Sequence, residues 1–298
     1  MAKPTFGWVL TPSARTAQAG ATLHAENRRF LERLRGVIDT VWVEDHFQWG
    51  DRPMVEAWTA LTYWSAQLPD LTFGNLVLGQ SYRNPALMAK MIATLHWLRG
   101  GRLIAGIGAG WKQDEYDAYG WPFPSARVRL EQLEDAVRIL RAMWTTSPAT
   151  YRGRHYSIQE AYCEPRPDPA PPLLIAGDGE RITLRLAAQY ADWMNIPFRD
   201  YETTAHKLDV LAGHCREVGR PLEQVRRTYY AFLSIRRDGA APEPRPGVHV
   251  ISGTPEVVAD ELQRFSALGI DHFMLRFTDF PDESGMGLFL SEVWPRFR

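Results

Sequence analysis

Val41-Trp42-Val43-Glu44-Asp45-His46-Phe47-Gln48-Trp49 opens with β-branched and aromatic residues in a short run, the composition of a buried strand. The apolar run then stops, and a carboxylate, an imidazole and two more aromatic rings arrive together. A buried, ionised Asp needs partners, and His titrates near neutral pH. Such a pair where a strand gives out has two readings. Asp45 caps the next segment while His46 bonds a carbonyl, or the pair edges a ligand site with Phe47 and Trp49 as an apolar floor for a flat molecule. The stretch alone leaves these readings level.

Working outward, strand, short loop and helix recur on both sides. Upstream, Thr5 to Leu10 is a strand, and Ala21 to Arg35 a helix with Leu23, Phe30, Leu31 and Leu34 inward at helical spacing. Downstream come a helix from Val55 to Leu68, a strand from Leu71 to Leu78, and a helix from Pro85 to Leu98. This last helix has proline in its first turn and Gly100-Gly101 at its end, and it is expected to turn Leu87, Met91, Leu95 and Leu98 inward. Leu103 to Ile107 is the fourth strand, and Gly108 to Pro124 reads as a loop. Leu130, Leu133, Val137, Leu140 and Trp144 then form the apolar stripe of a helix. Tyr151 to Ile158 reads as a hairpin turning at Arg152-Gly153, followed by a proline-rich connector. Strands at Leu173–Ala176, Trp193–Ile196, Thr228–Ile235 and Phe273–Phe277 alternate with helices at Glu180–Tyr190, Tyr201–Val218, Thr254–Leu268 and Leu288–Trp294, with a Pro/Ala loop at Gly239–Gly247. Eight strands, each followed by a helix, with a hairpin inserted after the fourth helix, make an α/β chain that closes into a (β/α)₈ TIM barrel. An open doubly wound sheet would need a phosphate fingerprint after its first strand, and Thr11-Pro12-Ser13-Ala14 is not one.

The bulk numbers agree. At 298 residues, 45% hydrophobic and 23% charged, the chain has core enough for one large domain, and a single barrel over residues 1–298 is expected. A net charge of −1 with dispersed basic residues gives no ground for nucleic-acid or membrane-surface binding. Cys163 and Cys215 form no CxxC and no disulfide framework, which suits a cytoplasmic location. No apolar run approaches the length of a membrane span, and the N-terminus has no apolar signal core.

Barrels carry chemistry at the C-terminal ends of their strands. Those ends are Asp45, His46 and Trp49; Gly79, Gln80, Ser81 and Tyr82; Gly108, Ala109, Gly110 and Trp111; Gly177, Asp178, Gly179 and Glu180; Asn195; and Arg276. Gly106-Ile107-Gly108-Ala109-Gly110 fails the dinucleotide fingerprint, because its third glycine position is Trp111 or Gln113. Its glycines let backbone approach a flat ligand, or simply make a tight strand exit. Ala176-Gly177-Asp178-Gly179-Glu180 joins a strand to a helix start, which suits a phosphate, although its two acids would oppose an anion unless they point away. As a plain turn it would have Asp178 as cap. The His residues are scattered without metal-ligand spacing, and no GxSxG elbow is present. Paired acids for glycoside hydrolysis have candidates in Asp45, Asp114 and Glu115 but no spacing that pairs them. A barrel that only binds a ligand is the remaining alternative.

Four motifs carry a family resemblance over the whole chain. They are Val41 to Phe47; Tyr82-Arg83-Asn84-Pro85-Ala86-Leu87; Gly100-Gly101-Arg102-Leu103 through Gly108-Ala109-Gly110-Trp111; and Leu174-Ile175-Ala176-Gly177 with Gly179-Glu180, then Ala191-Asp192. In these the chain resembles the luciferase-like flavin and deazaflavin oxidoreductases, most closely the coenzyme F420-dependent branch. The resemblance implies a deazaflavin ring against strands two to four, bordered by Asp45, Gly79, Gly108, Ala109 and Gly110, with a non-prolyl cis peptide at Leu76–Val77. It implies the cofactor phosphate at Ala176, Gly177, Gly179 and Glu180. His46, Asp45 and Trp49 would stand at the reacting face. His46 would handle the proton that accompanies hydride transfer, and Asp45 would fix the imidazole or bind the ring edge. Trp49 and Trp111 would wall the site of a small-molecule substrate. FMN-using relatives share the barrel and several motifs, so FMN with monooxygenase chemistry is the alternative, and a homodimer is the family expectation. One departure stands out. Sugar-phosphate dehydrogenases of this family carry a Glu acid where this chain has Trp111, so the resemblance points here to a more apolar substrate.

Overall fold

Side chains along a parallel strand alternate faces, and this chain uses that alternation to close a ring. The computed structural model describes residues 3–14 and 16–298. In chain order its elements are β1 (Thr5–Val9), α1 (Ala17–Leu34), β2 (Thr40–Val43), α2 (Ala57–Gln67), β3 (Thr72–Asn75), β4 (Leu78–Gly79), α3 (Pro85–Leu98), β5 (Leu103–Gly108), α4 (Gln113–Tyr119), α5 (Ala126–Thr145), β6 (Ala149–Arg152), β7 (Ser157–Ala161), β8 (Leu173–Ala176), α6 (Thr183–Tyr190), β9 (Trp193–Pro197), α7 (Tyr201–Glu217), β10 (Arg226–Ile235), β11 (Val250–Gly253), α8 (Pro255–Ala267), β12 (His272–Phe277) and α9 (Ser284–Leu288). Parallel pairing runs β1-β2-β3-β5-β8-β9-β10-β12 and returns to β1, an eight-stranded (β/α)₈ barrel. The short β4 continues the third strand against β5, and β11 adds to the end of β10.

The interior alternates as the pleat requires. Trp42 points inward and fills the lower barrel, where a Cβ on Gly74 would overlap its ring. Its Nε1 donates to Thr40 Oγ1 at 2.8 Å, and Thr40 and Thr5 hold the two ring nitrogens of His272 at 3.0 and 2.6 Å. Complete burial, with Arg226 nearby, pushes the His272 pKa well down, so this plug is neutral. Alternate residues face the helices: Trp8 stacks on Phe30 at 5.3 Å.

The third strand is divided at Leu76–Val77, whose peptide bond is cis, at the expected position. The chain there presses onto β5. A Cβ on Gly106 would overlap the Asn75 carbonyl oxygen, and one on Gly108 would lie 2.7 Å from Val77 Cγ2. The glycines of β5 therefore make room for the neighbouring strand.

Four features differ from the expectations. α3 buries Met88, Ala89, Ile92 and Leu95, while Leu87 and Leu98 are exposed and Met91 is half-buried. Both faces satisfy helical spacing. The small Ala89 decides, because α5 approaches there and Trp144 Nε1 donates to the Ala89 carbonyl at 3.1 Å. The segment Gly108–Pro124 is not all loop, since α4 forms within it and stops at Gly120, which has φ +72°. β11 was not expected at all. The hairpin β6–β7 is antiparallel and wider than expected. Asp135 of α5 pins it, accepting from Tyr151 Oη, His155 N and Tyr156 N at 2.8, 2.7 and 3.1 Å.

Candidate active site

β2 ends at Val43, and the next six residues build one side of the barrel mouth. Asp45 is buried. It accepts from Gly79 N at 2.9 Å and from both terminal nitrogens of Arg83 at 2.8 and 3.1 Å. Arg83 also reaches Glu56, which caps α2 by accepting from Trp58 N and Thr59 N. One guanidinium thus ties β2, β4 and α2 together. Burial disfavours its charge, but the Asp45 hydrogen bond and the Asp45 and Glu56 charges outweigh that and raise its pKa. Of the two roles expected of Asp45, fixing the imidazole or bordering the ring edge, the first is corrected, since its oxygens are taken by Arg83 and Gly79 and a different acid holds His46.

That acid is Glu115, in the first turn of α4. It is fully buried, and its Oε2 accepts from His46 Nδ1 at 2.9 Å and from Tyr82 Oη at 3.3 Å. Its Oε1 accepts from Phe47 N at 2.7 Å and Gln48 N at 3.1 Å. Burial alone would raise the Glu115 pKa, but the His46 hydrogen bond and the two backbone donors lower it overall. Burial would depress the imidazole, yet the Glu115 hydrogen bond and the charges of Glu44, Glu115 and Asp45 raise its pKa above the ordinary value. Burial also raises the Tyr82 phenol, aided by Tyr116 and Glu115, so Tyr82 stays a donor.

Trp49 and Trp111 stand edge-on to the imidazole, with centroids 5.5 and 5.8 Å away and 6.1 Å from each other. They are 40% and 65% exposed at the mouth. Lys112 lies over Trp49 at 4.9 Å and pairs with Asp114. Across the mouth, Glu44 pairs with Arg276 and accepts from Tyr230 Oη at 3.2 Å. Phe198 and Phe232 pack against Tyr230. Leu76, Val77 and Ala176 share this apolar interior with Trp42 and Leu174.

Other strand-end residues serve the scaffold. Gln80 bonds Gln132 and Tyr156, Ser81 bonds Tyr116 at 2.7 Å, and a Cβ on Gly110 (φ +76°) would overlap the Tyr116 hydroxyl. Ala109 is half-buried beside it. Asn195 lies mid-strand, its amide donating to Thr228 Oγ1 at 3.0 Å inside the barrel, and so takes no part in the mouth.

At the Ala176–Glu180 turn, Gly177 has φ +125°, a conformation that side chains disfavour. Asp178 pairs with Arg199 at 2.6 Å, and Glu180 with Lys207 at 2.6 Å and His206 at 3.0 Å. Both acids are therefore matched by cations. A cavity of about 580 Å³ opens here, lined by Gly179, Thr183, Arg127, Arg181 and Lys207.

Sequence reasoning gave no role to Arg83, Glu44 or Tyr230, and held Glu115 only as an acid near a strand end. Arg83 stands inside a quoted motif, which was its one available signal.

The luciferase-like monooxygenase family model matches residues 5–245. An F420-dependent glucose-6-phosphate dehydrogenase of Kineococcus radiotolerans is 36% identical over 152 residues, covering 49% of this chain and 44% of that one. The same-named enzyme of Amycolatopsis mediterranei is 30% identical over 209 residues, covering 67% and 62%. The chain thus matches between two-fifths and two-thirds of the length of these relatives. A solved F420-dependent secondary alcohol dehydrogenase, in complex with an F420-acetone adduct, shares the fold with a TM-score of 0.84 at 22% identity over 99% of each chain. The F420-dependent tetrahydromethanopterin reductase of Methanopyrus kandleri does so with a TM-score of 0.80 at 18% identity over 100% of each. Matched from β1 into the loop after β10, the chain belongs to the luciferase-like monooxygenase family.

Proposed function

We propose that this barrel is an F420-dependent oxidoreductase in which hydride passes between the deazaflavin and a small organic substrate while His46 carries the accompanying proton. The observation that carries the reading is the His46 imidazole, held at Nδ1 by buried Glu115 and set between the exposed rings of Trp49 and Trp111. The residues present fit the cofactor. Leu76 and Val77 offer an apolar surface in the barrel interior, with Gly79, Gly108, Ala109 and Gly110 at the ends of β4 and β5 beside it. The glycine turn at Ala176–Glu180, with Arg127, Arg181 and Lys207 around its cavity, suits the phosphate. Bound there, the deazaflavin would supply the hydride chemistry, and the protein orients and polarises.

The chain's own groups have separate tasks. Asp45 fixes Gly79, and with it β4, against the ring. No described residue bonds His46 Nε2, so that nitrogen gives or takes the proton at the substrate. Trp49 and Trp111 exclude water and favour an apolar substrate. Arg276 and Lys112 are paired with Glu44 and Asp114, which leaves little unbalanced charge beside His46 for a sugar phosphate. Residues 1–298 would act as one catalytic domain.

Fluorescence titration tests the cofactor. Purified protein should bind F420 with micromolar or better affinity and FMN much more weakly. In the same titration Gly179→Val should weaken F420 with the fold retained, because its Cβ would sit 3.0 Å from Thr183 Oγ1 where backbone must approach an anion. Tighter binding of FMN would move the protein to the monooxygenase reading. Binding of neither would remove the oxidoreductase proposal.

No helix among the described residues is long and apolar enough to cross a membrane. We propose a homodimer through α3, whose Leu87, Trp97 and Leu98 are exposed beside half-buried Met91. Sedimentation should find a dimer, and Leu87→Glu with Leu98→Glu a monomer; an unchanged mass for that variant would place the interface elsewhere.

A further inference from the structure

We propose that Glu115 is the positioning residue of His46: it fixes the proton on Nδ1 and so makes Nε2 the nitrogen that exchanges a proton with the substrate. This rests on the acid–base role of His46 proposed above. The geometry is specific. Glu115 is fully buried, and four donors converge on it, two per oxygen. A carboxylate that only accepts requires a hydrogen on every partner atom. Nδ1 therefore carries a proton in both charge states of the ring, and neutral His46 is the Nδ1–H tautomer with the Nε2 lone pair left over.

The surroundings act in the same direction. Carboxylates of Glu44, Asp45 and Glu115 face the imidazole from the end of β2 and from α4. The Tyr82 phenol shares Glu115 Oε2. The nearby cations are committed elsewhere, Arg83 to Asp45 and Glu56, Arg276 to Glu44, and Lys112 to Asp114. Trp49 and Trp111 shield the ring's edges. The five residues 111–115, which lead into α4, thus supply Trp111 beside the ring and Glu115 behind it.

Glu115→Gln separates positioning from mere packing. Its amide has one acceptor and two donors. The oxygen should stay with the Phe47 and Gln48 N–H groups, which no other described group satisfies. The NH₂ then faces Tyr82 Oη and His46 Nδ1. Nδ1 must become an acceptor, and the proton moves to Nε2. The shape is kept and the tautomer inverts.

Two-bond ¹H–¹⁵N spectra of ¹⁵N-labelled protein without cofactor, with His46→Ala used to assign the signal, read this directly. The wild type should show the Nδ1–H tautomer titrating above the ordinary imidazole value of about 6.5. Glu115→Gln should show Nε2–H and a lower titration point. Its kcat should fall on the order of 10²-fold or more, since the wrong tautomer of a catalytic His costs about 10⁴-fold in serine proteases. The pH limb of kcat should move down with the titration. A wild-type spectrum with Nε2–H overturns the proposal even if the variant does not fold. So does a Glu115→Gln enzyme with inverted tautomer but wild-type kcat and pH profile. The spectra need no F420, so a protein that bound no cofactor would sink the oxidoreductase reading while the Glu115 assignment still stood or fell on its own data.

Discussion

His46→Ala should lower kcat on the order of 10²–10⁴-fold, the contribution of a positioned general acid or base. Cofactor affinity should stay within a few-fold, because β5, the cis-linked third strand and the glycine turn are untouched by the change. The pH profile of kcat should lose one limb. In the wild type that limb lies above the ordinary imidazole value, since Glu115 and the neighbouring carboxylates overcome burial and raise the pKa. The same shift has a stability consequence of definite sign. A folded-state pKa above the unfolded one means that protonated His46 stabilises the fold fully below about pH 6.5. That contribution fades as pH rises through the raised folded value, and His46→Ala should abolish the slope. Stopped-flow turnover with denaturant melts across pH 5 to 9 measures both. Near-wild-type turnover would leave His46 a structural residue.

Arg83→Met should cost roughly 3–5 kcal/mol of stability, the usual penalty for stripping the partner from a buried charge. The Asp45 side chain is wholly inaccessible and its Arg83 bonds are 2.8 and 3.1 Å, so loss of the guanidinium strands a buried carboxylate. Glu56 stands at the surface end of the same guanidinium and should adapt to its loss. The damage should fall on Asp45, and through it on Gly79 N, so F420 affinity should fall as well. Adding Asp45→Asn removes the orphaned charge, and the double variant should recover part of the loss, a non-additivity read from a double-mutant cycle. If the single variant melts with the wild type, the Arg83 pairing contributes nothing to the fold. If the double variant is simply the sum of its parts, the two side chains are not coupled.

How far the sequence led is best seen residue by residue. The strands around Val41, Leu103, Leu173 and Phe273 were legible because their signals are local: β-branched runs, proline and glycine stops, and helices of sufficient length between them. Alternating strand and helix over such a chain leaves few topologies, and the barrel followed. The inward face of α3 was not legible. Leu87/Met91/Leu95/Leu98 and Met88/Ile92/Leu95 both obey helical spacing and share only Leu95, and the choice was made by α5 approaching Ala89. α4 was hidden because its seven residues are too few to show an apolar period.

The site divides in the same way. His46, Trp49, Trp111 and the glycine turn announced themselves by residue type at strand ends. Their partners did not. Arg83 lies 38 residues from Asp45, and Glu115 lies 69 from His46. By itself the sequence determined the barrel and the family, because these depend on patterns a few residues long. Only the tertiary structure decided that Asp45 belongs to Arg83 and His46 to Glu115. A buried carboxylate is satisfied by whichever donors closure of the ring brings within 3 Å or so of it, and that distance is set by the packing of β2, β4 and α4 together rather than by any one of them.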